Sequence, residues 1–158
     1  MKKSYPSLFA CVFITLAAGM ISGAVNRPDA WYAALSKPLW TPPGWVFAPV
    51  WIVLYVMMGV ALWLIWERRT ARLSSAAISL FMIQLIFNFA WSWFFFGLHS
   101  PALAFADICI LWTAILATII LFARVYRPAA LLMVPYFLWV SFAAVLNFSI
   151  WRLNAGIV

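Results

Sequence analysis

Five apolar runs, each about twenty residues long, follow one another along this 158-residue chain and decide what it can fold into. About 30 Å of hydrocarbon, at about 1.5 Å of rise per residue, takes a helix of about 20 apolar residues to cross. The runs cover about residues 7–25, 45–66, 74–96, 102–123 and 129–151. Pro6, Pro101 and Pro128 stand where helices would begin, and a first-turn proline gives up no hydrogen bond. Ser100, just before Pro101, is a ready N-cap. The expected fold class is an all-α membrane protein of one domain over 1–158: a bundle of five transmembrane helices with a long first loop carrying a short helix. A soluble domain is excluded by composition, since the chain is 68% hydrophobic and only 8% charged where soluble domains carry about 25% charged residues.

The first run has two readings. Lys2-Lys3, an apolar stretch and Ser22-Gly23-Ala24 fit a cleaved signal peptide. The run is nevertheless long enough to span, and Gly19 with Gly23 forms a small-xxx-small pair that membrane helices use for close packing. Retention is therefore expected.

A net charge of +7 would point to nucleic acid in a soluble protein. Here the basic residues lie in short clusters between apolar runs, where they act as orientation signals, so no nucleic-acid partner is expected. Seven of them (Lys2, Lys3, Arg68, Arg69, Arg72, Arg124, Arg127) fall on one side of a five-span map, and three (Arg27, Lys37, Arg152) on the other. The positive-inside rule then puts the amino terminus in the cytoplasm and the carboxyl terminus outside. Cys11 and Cys109 lie at different depths on this map and are expected to be buried small hydrophobes rather than a disulfide.

The segment 26–44, NRPDAWYAALSKPLWTPPG, is much longer than the other connections, and long loops are usually functional. Asn26, Pro28 and Asp29 make a helix-start cluster. Trp31 and Leu35 then share a face at i, i+4, which predicts a short amphipathic helix across the outer mouth of the bundle. Pro38, Pro42 and Pro43 stiffen the rest of the loop and hold Trp40. Trp31, Tyr32 and Trp40 read equally as interfacial anchors, because tryptophan and tyrosine favour headgroup depth.

Few polar residues enter the spans. Gln84, Asn88 and Ser92 repeat at i, i+4 and form one polar stripe facing other helices. Asn88 reads as an interhelical clamp or as a ligand contact, and Asn147 more as a clamp. Asp107, just inside the fourth span, is a functional candidate as an intramembrane carboxylate, although near the edge it could reach water or pair with a loop cation. Glu67, beside Arg68 and Arg69, reads as surface.

Aromatic residues line up on the same helix faces: Trp51 with Tyr55, Trp91 three residues after Asn88, and Trp139 with Ala143 and Leu146. Pro49 and Pro135 interrupt two spans and make room between helices. Any one of these rings could simply fill a helix–helix gap; together they would line a cavity for a flat, apolar ligand. Conventional catalytic machinery is missing from the sequence. His99 is the only histidine, no residues have metal-ligand spacing, and no phosphate loop or nucleophile elbow occurs.

At Trp31–Phe47 (WYAALSKPLWTPPGWVF) the chain resembles the translocator protein family, also called tryptophan-rich sensory proteins or peripheral-type benzodiazepine receptors. Trp51 with Tyr55, the run Phe87–Ser92, and Pro135–Trp139 leading to Leu146-Asn147 carry the resemblance over essentially the whole chain. It implies a usually dimeric five-helix bundle that binds porphyrins, haem-related tetrapyrroles, sterols or benzodiazepine-site ligands beneath the first loop. The positions matching the family's pocket are Trp31, Tyr32, Trp40, Pro42, Phe47, Trp51, Tyr55, Asn88, Trp91, Trp139, Ala143 and Leu146. One departure bears on sterols: Phe148 stands where the weak animal sterol pattern needs tyrosine, which makes cholesterol doubtful and a bacterial cell-membrane porphyrin role the better expectation.

The leading expectation is thus a tetrapyrrole-binding transporter or sensor that needs no cofactor or metal, with porphyrin or haem as its ligand. Its propionates would meet Arg27 or Lys37 at the outer mouth. The alternatives are light-dependent porphyrin degradation through Trp51 and Trp139, and a sterol-binding or protein-interaction scaffold. For a homodimer, the Ser75/Ser79 row of the third span is the candidate face.

Overall fold

The computed structural model describes residues 4–156; Lys2 and Lys3, counted in the charge bias, lie outside the described residues. The chain runs α1 (Tyr5–Val25), α2 (Ala30–Ala34), α3 (Gly44–Trp66), α4 (Ser74–Ser92), α5 (Pro101–Val125) and α6 (Arg127–Leu153). All but the five-residue α2 are long and apolar enough to cross a membrane, and α4 reaches that length together with the π turn Trp93–Gly97 that ends it. The chain is an integral, multi-pass membrane protein.

Local chemistry sets the helix ends. Proline occupies the first turn of α1, α5 and α6. Ser100 caps α5, its hydroxyl accepting the Leu103 N–H at 3.4 Å. His99 turns the chain with a left-handed φ of 52° before that cap. Asp29 caps α2 by accepting the Tyr32 N–H at 3.1 Å.

The tightest packing joins α1 to α3. A Cβ on Gly59 would lie 2.5 Å from the Val12 Cα, so the two backbones meet there with no room for a side chain. Beside it Thr15 donates its hydroxyl to the Tyr55 carbonyl at 2.8 Å. The sequence pair Gly19/Gly23 divides differently from expectation. Gly19 lies under the Tyr55 ring, whereas a Cβ on Gly23 would meet nothing within 4 Å, because Gly23 borders a cavity instead of a helix.

Towards the end where α1 begins, the core is filled by Met58, Ile65, Phe81, Ile115, Phe122 and Met133, with Phe81 stacked on Phe122 at 5.9 Å. Two sequence expectations are corrected. Cys109 is exposed on the apolar outer surface while Cys11 is buried, since they lie on different helix faces. Glu67 is a fastening point and not free surface: it accepts the Ser7 hydroxyl at 3.1 Å and the Ser4 N–H at 3.4 Å, tying α1 to the end of α3.

Candidate functional site

At the other end of the bundle the helices enclose a cavity of about 510 Å³, within the range of pockets that hold drug-sized ligands. Its walls come from α1, α3, α4, α5 and α6, and residues 26–32 close one side. Nine of the twelve sequence-derived positions line it: Tyr32, Phe47, Trp51, Tyr55, Asn88, Trp91, Trp139, Ala143 and Leu146. Trp31, Trp40 and Pro42 do not.

The rings support one another in two arrays. On one wall Phe47 meets Trp139 edge-on at 5.9 Å, Trp139 leans on Phe142 at 5.4 Å, and Trp40 meets Phe142 edge-on at 5.8 Å. Trp40 therefore braces the ring behind the wall. Elsewhere on the wall Trp91 stacks on Phe95 at 5.3 Å, and Tyr32 meets Phe96 edge-on at 5.4 Å. Such offset and edge-to-face contacts fix ring planes beyond what area burial alone would do. Trp51 stacks on Tyr55 at 5.4 Å and 26°, and presents its edge to Tyr136 at 6.2 Å.

Behind Trp51 runs a buried chain of hydrogen bonds. Tyr55 donates to Asn88 Oδ1 at 2.6 Å, Asn88 Nδ2 donates to the Tyr136 hydroxyl at 3.1 Å, and Tyr136 donates to Gln84 Oε1 at 2.9 Å. Gln84 and Asn88 of the predicted stripe thus form a clamp running through α3, α4 and α6, with Asn88 also at the cavity wall, whereas Ser92 lines the cavity outside that clamp. Asn147 joins two elements as well. It accepts the Trp91 indole N–H at 2.9 Å and donates to the Pro101 carbonyl at 2.8 Å. Asp107 is 4% exposed, its Oδ2 has no protein partner, and it forms no ion pair with a loop cation among the described residues.

The loop over the cavity is pinned twice. Asn154, at the end of α6, receives the Ser36 N–H at 3.0 Å and donates to the Ser36 carbonyl at 2.9 Å. At the other pin His99 Nε2 lies 3.0 Å from Asp29 Oδ2, and Trp31 stacks on the imidazole at 4.4 Å. The Tyr32 N–H bond, with the His99 pairing adding to it, holds the Asp29 carboxyl below its ordinary range. A native value below the unfolded one stabilises above the ordinary carboxylate range and is lost as pH falls through the native value. The protection factor of the Tyr32 amide, taken against its intrinsic exchange rate at each pH, should accordingly fall on strong acidification and hold at neutral pH; equal protection factors at both would refute the cap.

The two candidate cations stand apart from the cavity wall. Lys37 Nζ donates to the carbonyls of Ala33 at 3.3 Å and Leu35 at 3.0 Å and lies 4.5 Å from the Tyr32 ring centre, so it caps the end of α2. Arg27 is exposed at the rim, between Asn26 and Pro28, which both line the cavity.

Several lining residues were missed from the sequence. Phe95 and Phe96 enter the wall because the π turn at Trp93–Gly97 adds a residue to the helical repeat and swings both rings inward. Phe95, four residues after Trp91, carried a signal at helical spacing. Tyr136, the hub of the polar chain, carried none beyond its place after Pro135.

Residues 11–152 match the sequence model of the TspO/MBR family. The chain belongs to the TspO/MBR family. It is 43% identical to the tryptophan-rich protein TspO of Chlorobaculum tepidum, over 98% of this chain and 99% of that one. It is 38% identical to protein CrtK of Rhodobacter capsulatus, over 95% and 94%. The translocator protein of Ovis aries is 40% identical over 80% of this chain and 76% of its own. The TspO/MBR match takes in every residue that lines the cavity, from Leu16 to Ile150.

Proposed function

We propose that this protein binds a porphyrin or haem-type tetrapyrrole in the aromatic cavity and acts in its transport or in stress sensing. The observation that carries the reading is the set of mutually braced rings on the cavity wall, with Trp139 against Phe47 and Trp51 stacked on Tyr55, which suits a large flat apolar ligand. The names of the relatives, tryptophan-rich and translocator proteins, agree with a membrane carrier or sensor. Residues 26–44 act as the lid. Arg27, flanked by lining residues, is the cation placed for a propionate, while Lys37 is engaged with α2.

In this reading the amino terminus faces the cytoplasm, the lid faces outward, and the working form is a homodimer joined through the exposed Ser75/Ser79 row of α4. Sterol binding stays secondary because Phe148 occupies the tyrosine position of the animal pattern. Bulky residues at Ser75 and Ser79 should split a detergent-solubilised dimer, and an intact dimer would remove that face from consideration.

The decisive experiment is titration of tryptophan fluorescence with protoporphyrin IX, in darkness and then in light. Saturable dark quenching is expected; its absence would defeat the porphyrin reading. A second reading, light-dependent breakdown of the bound porphyrin, is favoured by Trp51 lying against two further oxidisable rings, Tyr55 and Tyr136. It requires a new product under light that free tryptophan does not generate.

A further inference from the structure

The end of the bundle where α1 begins holds an uncompensated concentration of positive charge. Arg68, Arg69 and Arg72 follow α3, while Arg124 and Arg127 flank the turn from α5 to α6. Glu67, the carboxylate nearest to them in sequence, is turned towards α1 by Ser4 and Ser7. None of the five arginines forms an ion pair among the described residues, where the pair present, His99–Asp29, belongs to the lid.

Helix ends add to the field. Both α4 and α6 start here without a side-chain cap and without an acidic residue in the first turn, so their N–H groups present partial positive charge. Arg68 and Arg69 do place one N–H each on a carbonyl of the α3 end, at 2.9 and 3.4 Å. A guanidinium carries five donors, so most of each remains free.

Arg68 is also positioned. Its guanidinium lies 3.5 Å from the centre of the Tyr126 ring, and its carbonyl accepts the buried Ser74 hydroxyl at 2.6 Å. These contacts draw the α3–α4 turn onto the α5–α6 turn and hold one planar cation against the start of α6. A planar fork of donors matches phosphate oxygens. Trp66, 41% exposed, stands at the same level as an interfacial ring, and Leu131, 68% exposed, continues the surface of α6 below.

We propose that this basic surface binds the headgroup phosphate of an anionic phospholipid, with Arg68 as the fixed contact and Arg72 and Arg127 as flanking ones. The depth argues for lipid over a free anion. The cations sit where spanning helices end, above an apolar surface along which acyl chains can lie. The site is separate from the ligand cavity, which is at the other end of the helices.

Native mass spectrometry of the full chain, released from detergent and titrated with phosphatidylglycerol and phosphatidylcholine of equal acyl length, tests this. The wild type should retain phosphatidylglycerol at least about tenfold better. Combined Arg68→Gln, Arg72→Gln and Arg127→Gln should bring that ratio near one, while Arg152→Gln, at the opposite end, should leave it unchanged. Should the triple variant fail to fold, Arg72→Gln and Arg127→Gln singly, both at exposed positions, should each lower the ratio several-fold. Equal retention of the two lipids by the wild type, or an unchanged ratio in the variants, would overturn the proposal. Inorganic phosphate at lipid-like concentration should not displace the lipid; displacement would make this a free-anion site and overturn the lipid assignment.

Discussion

Replacing Trp51 and Trp139 together with alanine is expected to weaken protoporphyrin binding by about a hundredfold or more. Burial of an aromatic side chain against a ligand contributes on the order of 1.5–3 kcal/mol, and a factor of ten corresponds to about 1.4 kcal/mol. Two ring faces on different helices therefore account for about two decades or more. The loss reaches beyond contact area, because Trp51 stacks on Tyr55 and Trp139 bridges Phe47 and Phe142. Trp45 is the control: it is 76% exposed on the outer surface, and its replacement by phenylalanine should leave affinity unchanged. Binding should be read from porphyrin absorbance, since each variant alters the fluorescence itself. Unchanged affinity in the double variant would place the ligand elsewhere.

Gly59→Leu is expected to be the most damaging single change to the fold. The first atom of any side chain there would fall 2.5 Å from the Val12 Cα, so α1 must move off α3 and the Thr15–Tyr55 bond must break. Overpacking in a tight core costs about 1–3 kcal/mol and sometimes more, and here the obstacle is backbone, which has no other rotamer to adopt. Thermal unfolding in detergent should show a large fall in midpoint. Gly19→Ala meets the Tyr55 ring instead of backbone and has to push it against its Trp51 stack and Asn88 bond. Its main effect should appear in ligand affinity, through Trp51 and Asn88. Gly23→Ala meets nothing within 4 Å and should leave the midpoint unchanged; a fall equal to that of Gly59→Leu would contradict the packing described.

The spanning helices were legible because length and hydropathy are summed over about twenty residues, and because Pro101, Pro128 and Ser100 mark starts by their own local chemistry. The site was legible as far as it rests on ring spacing, as with Trp51/Tyr55 and Trp139/Ala143. Links that depend on how one helix is rotated against another left no trace in one dimension. Tyr136 receives Asn88 from 48 residues away, and Asn154 holds Ser36 from 118 away. The π turn was equally silent, since its extra residue comes from backbone bonding with no side-chain signature. The bonds of Lys37 to the carbonyls of Ala33 and Leu35 were likewise silent, since a cation beside an aromatic loop gives no sign of the helix end it will meet.

The Asn154 pin also sets an order of events during synthesis. Chains emerge from the amino terminus, so the lid and most of the cavity wall are made long before residue 154 leaves the ribosome. The loop is made early and fastened late. A chain stopped at Leu153 would carry α1 to α6 whole with Ser36 unfastened, so the segment that completes the cavity wall also ties down the connection made well before it.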